Sequence, residues 1–129
     1  MLRRTEAAWL GALVGGEGYL RYRRKKSKVT TKTKVYTYYY WRFQLEIEMA
    51  EEEWIKRAAE LCEATYRAEP NGRYWQMVIG GSRAVRILKS IQPYLFGLKA
   101  KAADIILWIG PNLPGSIARP NLPVLKSRR

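Results

Sequence analysis

The stretch AAWLGALVGGEGYL, residues 7–20, constrains the fold more than any other part of the chain. Ten residues, Ala7 to Gly16, pass without a charge, and Glu17 is the one acid in a segment that carries four glycines. From Thr5, which can act as an N-cap, to Gly15 the pattern predicts a helix that is apolar on nearly every side. Such a helix must be buried on nearly every side. A membrane span needs about 20 apolar residues, more than this run supplies. Arg3 and Arg4 imitate the start of a signal peptide, but Glu6 interrupts the basic region. The expectation is therefore an intracellular protein, in cytoplasm or organelle, with one central helix and no membrane association.

The residues that follow alternate. In EGYLRYRRKK, Leu20 and Tyr22 fall on one face of a strand and Tyr19, Arg21, Arg23 and Lys25 on the other. After a polar connection, SKVTTKTK, the run VYTYYYWRFQLEIEM sets Trp41, Phe43, Leu45 and Ile47 against Tyr38, Tyr40, Arg42, Gln44 and Glu46. The two strands predict a long hairpin. AEEEWIKRAAELCEA opens with acids and repeats Trp54, Ile55, Ala58, Leu61 and Cys62 at helical spacing.

A turn at Glu69-Pro70-Asn71-Gly72 then divides a second hairpin, in which Trp75, Met77 and Ile79 oppose Tyr74, Gln76 and Val78. SRAVRILKSIQPYL reads as a helix with Ser82 as its cap and Pro93 at its end, and KAKAADIILWI as another. The fold class is α+β, a single domain over residues 1–108. Residues 109–129, with four prolines, read as an extended basic tail whose Lys126, Arg128 and Arg129 could touch phosphate.

Charge narrows the function. The 129 residues hold 24 lysines and arginines against 11 acids, a net +13, and the balance points to a polyanion. Eight bases and no acid lie between Arg21 and Lys34, whereas seven of the 11 acids lie between Glu46 and Glu63. The bases alternate with core residues, so the sheet itself is the expected reading surface for nucleic acid, with Arg67, Tyr74 and Gln76 of the second hairpin joining it. Histidine is absent and Cys62 is the single cysteine. A Ser-His or Cys-His nucleophile and a Cys/His zinc site are thereby excluded, and any catalytic metal must sit on oxygen ligands.

LGALVGGEG, Leu10 to Gly18, resembles the signature nonapeptide of the LAGLIDADG homing endonucleases. Leu10, Leu13, Val14, Glu17 and Gly18 fit that pattern, with Gly11, Ala12 and Gly16 at its small positions and Trp9 and Tyr19-Leu20 as flanks. VIGGSRAVRILKSIQPYL followed by GLKAKAADIIL is similar to the family's later strand, helix and Pro-Tyr-Leu-Lys segment. The element order also matches the family's αββαββα core, a curved antiparallel sheet that forms a DNA-binding saddle.

The resemblance implies a site-specific endonuclease that hydrolyses phosphodiesters of a long, pseudo-palindromic double-stranded DNA target. It further implies a homodimer, since the motif occurs once. Ala8, Gly11, Ala12 and Gly15 would let two motif helices approach closely, although tight packing on the chain's own sheet is the other reading of that stripe. Glu17 would be the catalytic acid and, with the Gly16 carbonyl, a ligand for Mg²⁺, with Ca²⁺ or Mn²⁺ as substitutes. Lys99 falls where the family often carries an active-site lysine, and Lys101 lies two residues away.

Two departures stand out. Gly15 replaces an aspartate common two residues before the acid, and the family's polar support residue falls near Glu48 or Met49. Glu46 and Glu48 themselves read as a solvated strand end or as DNA-contact positions. The same scaffold without cleavage would serve an RNA splicing maturase or a DNA-binding regulator.

Overall fold

The computed structural model of the chain describes residues 2–123, so Lys126, Arg128 and Arg129 lie outside the described residues. The first helix, α1 (Arg4–Glu17), begins ahead of Thr5, and Arg3 rather than Thr5 is its cap. The reason is Glu6, whose Oε1 accepts the Arg3 backbone N–H at 2.8 Å and sets an acid at the positive end of the helix. Ala7, Leu10, Gly11, Leu13 and Val14 are buried, but Ala12, Gly15 and Gly16 are exposed. The expectation of burial on nearly every side is thus corrected: α1 keeps one outward face, on which Ala12, Gly15 and Gly16 are exposed with Trp9 beside them.

At its end α1 becomes strand β1 (Gly18–Thr30) with no intervening loop. Gly18 makes this possible. A Cβ there would stand 2.8 Å from both Cα and O of Val14, so any larger residue would drive the strand away from the helix. β1 pairs antiparallel with β2 (Val35–Met49) through thirteen positions, from Gly18 opposite Ile47 to Thr30 opposite Val35. SKVT is therefore strand rather than connection. The turn is confined to residues 31–34, where the Thr31 hydroxyl accepts the Lys34 N–H at 3.0 Å and donates to the Lys34 carbonyl at 3.0 Å.

Helix α2 (Glu52–Cys62), strands β3 (Tyr66–Ala68) and β4 (Trp75–Gly80), and helix α3 (Gly81–Ile91) follow. Gly80, not Ser82, caps α3. A short 3₁₀ turn at Gln92–Tyr94 leads to α4 (Gly97–Ile109). The open sheet has the order β1-β2-β4-β3, antiparallel throughout. One core lies between its apolar face and the helices. Leu20, Tyr22, Phe43, Leu45, Ile47, Met77 and Ile79 from the strands meet Leu10, Val14, Ile55, Leu88, Ile91 and Ile106 from the helices, all nearly inaccessible to solvent.

β2 overruns β4, whose last partner pair is Gln44 with Gly80, and the outer half of the β1–β2 hairpin projects beyond the core. A two-stranded ribbon alone is marginal in water. Part of the segment expected to be a tail supplies the missing neighbour: β5 (Asn112–Pro114) pairs with Tyr40–Arg42 of β2 in the space β4 leaves open. The Tyr22 hydroxyl donates to the Gly110 carbonyl at 2.7 Å, and Trp41 Nε1 donates to the Ile117 carbonyl at 2.8 Å. The span after α4 is thereby tied to the sheet.

Among the described residues no helix is long and apolar enough to cross a membrane. Burial raises the Tyr22 hydroxyl pKa from 10.0 to about 12. The folded state then holds this proton more tightly than the unfolded chain, so the contribution is complete below pH 10 and is lost as pH climbs through about 12. Tyr22→Phe is expected to lower stability by about 1 kcal/mol at neutral pH, because the Gly110 carbonyl loses its donor. Denaturant titrations should also show the variant losing less stability than the unaltered chain between pH 10 and 12.

Candidate functional site

The solvent face of the sheet carries the residues predicted to read nucleic acid. The ladder sets Tyr19 opposite Glu46, Arg21 opposite Gln44, Arg23 opposite Arg42, Lys25 opposite Tyr40 and Ser27 opposite Tyr38. On the other flank of β2, Glu48 stands opposite Gln76, which in turn stands opposite Arg67. Since directly opposed residues of a ladder project to the same side, these belong to one continuous surface. Tyr74 is half-buried and stands one step before β4 begins.

Cross-strand contacts order this surface. Arg67 Nη2 donates to Gln76 Oε1 at 3.3 Å, and Gln76 Nε2 donates to Glu48 Oε1 at 3.2 Å. The Tyr38 and Tyr40 rings lie 6.1 Å apart. Arg42 rests on the β4–α3 junction, where a Cβ at Gly80 would come within 2.8 Å of its Nε and Gly81 adopts a positive φ of 68°. The two glycines form a seat for that guanidinium.

Glu46 corrects the expectation of a solvated strand end. It is 2% exposed although it lies on the polar face. Arg23 donates to both its oxygens, Nε to Oε2 at 2.9 Å and Nη2 to Oε1 at 3.1 Å, and Arg21 Nε stands 3.5 Å from Oε2. The hydrogen bond to Glu46 raises the pKa of Arg23 and keeps it firmly protonated. With its amide turned to satisfy both neighbours, Gln44 donates to Glu46 Oε2 at 3.3 Å and accepts from Lys25 Nζ at 3.0 Å.

Residues that sequence reasoning missed also reach this region. Asn112, opposite Arg42 in the ladder, shares its face. It helps line an open groove of about 700 Å³ with Tyr38, Tyr40, Arg42 and Ser82. On the opposite side of the projecting hairpin, Arg24 lies over the Tyr39 ring at 4.4 Å and Arg119 over the Trp41 ring at 5.2 Å. The hairpin is thus basic on both faces. Arg24 was visible in the alternation, but nothing in a proline-rich segment announces Asn112.

At the foot of α1 the chain gathers its candidate chemistry. Glu17 is the last residue of the helix and is half-buried. Lys99, early in α4, donates from Nζ to the carbonyls of Val14 at 2.9 Å and Gly15 at 2.7 Å. Lys101, by contrast, is exposed. Desolvation lowers the Lys99 pKa, and the Glu17 charge partly offsets that shift. A cation on the final carbonyls of a helix also complements the negative end of its dipole.

Met49 is in the core, so Glu48, one ladder step beyond Ile47 at this end of β2, is the polar residue beside the corner. Among the described residues no group of three or more His, Cys, Asp or Glu could hold a metal.

The small-residue stripe divides. Gly11 is buried inside the chain, where an added Cβ would come within 2.8 Å of Tyr94 Cβ and 3.3 Å of the Ile91 carbonyl. It therefore serves the chain's own packing rather than an outer contact. Ala8 is half-buried, Ala12 and Gly15 are exposed, and a Cβ added to Gly15 or Gly16 would meet nothing within 4 Å.

The shared corner makes a spectroscopic prediction. Lysine-selective NMR should show Lys99 titrating below the ordinary lysine range, and Glu17→Gln should lower its pKa further by removing the acid that supports its charge. An unmoved Lys99 titration in that variant would separate the two residues.

No family model and no curated protein matches the chain. Solved structures do. The homing endonuclease I-CvuI, in complex with a DNA target, superposes with a TM-score of 0.62 at 20% identity, covering 82% of this chain and 66% of that one. The LAGLIDADG meganuclease I-AabMI, bound to uncleaved DNA, gives 0.53 at 15% identity over 77% of this chain and 34% of that chain. The homing endonuclease I-TnaI gives 0.51 at 14% identity, with 80% and 67% covered. The chain thus spans just under two thirds of I-CvuI and about one third of I-AabMI. An α+β sheet, open and antiparallel and backed by four helices, with the motif helix running into its first strand, is the fold of the LAGLIDADG homing endonucleases.

Proposed function

We propose that the chain is a site-specific double-strand DNA endonuclease that works as a homodimer and depends on a divalent cation. The observation that carries this reading is the corner itself. Glu17 ends α1, Lys99 Nζ reaches the carbonyls just before it, and the basic sheet face begins one residue later. DNA lying along that face would pass its backbone over the carboxylate.

The outward face of α1 supports the dimer. Ala8, Ala12, Gly15 and Gly16 project no more than a methyl group, so a second copy of the helix can approach closely and bring its own Glu17 to the same place. A twofold protein then meets a pseudo-palindromic target.

The donors present fit a hard cation. The Glu17 carboxylate and the Gly16 carbonyl are oxygen ligands suited to Mg²⁺, with Ca²⁺ or Mn²⁺ able to take the same place. A bound divalent cation would supply an activated water and stabilise charge on the leaving 3′ oxygen. Lys99 adds a partly desolvated positive charge near the scissile phosphate, and Glu48 anchors Gln76 at the adjoining strand end. Arg21, Arg23, Lys25, Arg42 and Arg67 hold the duplex, with Tyr19, Tyr38, Tyr40, Tyr74 and Gln76 meeting bases and sugar-phosphate; Gln44, expected among them, is buried at 7% exposure and instead braces Lys25 and Glu46 from below.

The reading is tested with targets selected from a random plasmid library in Mg²⁺, with Ca²⁺ as the binding-only condition. Glu17→Gln should reduce cleavage by about 10²–10³-fold while DNA affinity holds or rises, since a negative charge near phosphate is removed. Linearisation by the variant at the wild-type rate would overturn the assignment. Binding without cleavage by the unaltered chain would instead favour the maturase or regulator reading.

A further inference from the structure

Two of the most prominent bases on the proposed DNA surface are not free cations. Arg21 and Arg23 share the carboxylate of Glu46, which sits at the floor of the polar face on the central strand β2. The acid is sunken, with 3% of its side chain exposed, while the arginine side chains remain 39% and 44% exposed above it. The Gln44 amide joins the same carboxylate and passes the contact on to Lys25 Nζ. Arg21 is further braced over the Tyr19 ring at 4.8 Å.

This arrangement has a cost and a gain. The trio of two guanidinium groups and one carboxylate carries a net charge of +1, so its pull on phosphate is about half that of two free arginines. In return Arg23 is held in one geometry by two hydrogen bonds, and Arg21 is kept near it by the 3.5 Å ion pair and the Tyr19 ring. Arg23 spends its Nε and one Nη2 hydrogen on Glu46, which leaves the Nη1/Nη2 edge as a fixed pair of donors. A pair of donors at that spacing matches the O6 and N7 acceptors of guanine in the major groove.

We infer that Glu46 is a specificity-determining positioning residue, a buried base plate that holds Arg21 and Arg23 for direct readout of guanine and suppresses their sequence-independent attraction to phosphate. The inference rests on the DNA-binding reading above.

The test uses the full chain on two probes: selection from a double-stranded library of randomised sequence, and salt titration of binding to one fixed duplex. Glu46→Gln keeps the side-chain size but frees the charge of the arginines. It should tighten binding to unselected DNA and steepen the slope of log affinity against log salt by about 1 per protomer. It should also weaken the guanine preference at the contacted positions by about tenfold. Glu46→Asp retains the charge but retracts the carboxylate from the fork. That variant should keep the wild-type salt slope and still lose guanine preference, and it carries the test if the glutamine variant does not fold.

A wild-type salt slope and unchanged base preference in Glu46→Gln would overturn the inference. So would Glu46→Asp with full guanine preference. Failure of the unaltered chain to bind duplex DNA with salt dependence would overturn the underlying DNA reading as well, which distinguishes the two failures.

Discussion

The peptide between Glu17 and Gly18 is the joint that positions the candidate site. The helix stops and the strand starts there without a connecting residue, because Gly18 can lie against the Val14 backbone where a Cβ cannot fit. This contact fixes the angle between α1 and β1. It sets Glu17 at the rim of the sheet's polar face instead of on a loop, and it leaves the last carbonyls of the helix within reach of Lys99.

From that corner the polar surface is built by register rather than by charge alone. The unbroken β1–β2 ladder sends every second residue from Tyr19 to Ser27 to one side, and β5 continues the same side where β4 has ended. The surface is less simply positive than a net +13 implies. Glu46 and Glu48 each take part in an ordered contact with a neighbouring strand. Such contacts fix side chains that would otherwise lose rotamer freedom only on binding.

Much of this was legible in the sequence, for physical reasons that also explain what was not. Strand alternation has a period of two, so Leu20, Tyr22, Phe43 and Leu45 declare the core face, and their neighbours are then forced to the other. A stripe of small residues on a helix carries no such sign. Gly11 and Ala12 look equivalent by spacing, and it is Ile91 and Tyr94, about eighty residues later, that claim Gly11 for the chain's own interior. β5 was illegible because three residues that follow one proline and end in another pair only where β2 outruns β4, a fact about strand lengths rather than about residues 112–114. Glu46 was misread because an acid on a polar strand face looks solvated until the arginines beside it are seen to fold over it.

The proposed active site requires two copies of α1 to meet through Ala8, Ala12 and Gly15, so that two Glu17 carboxylates share one place on DNA. Cysteine cross-linking tests this directly, since Cys62 is buried and can be replaced by alanine. In that background Ala12→Cys should oxidise to a reducible species of twice the 15.0 kDa chain mass, with and without DNA. Lys101→Cys, exposed on α4, should not. Cross-linking at Ala12 no faster than at Lys101 would contradict the paired helices and the shared active site built on them.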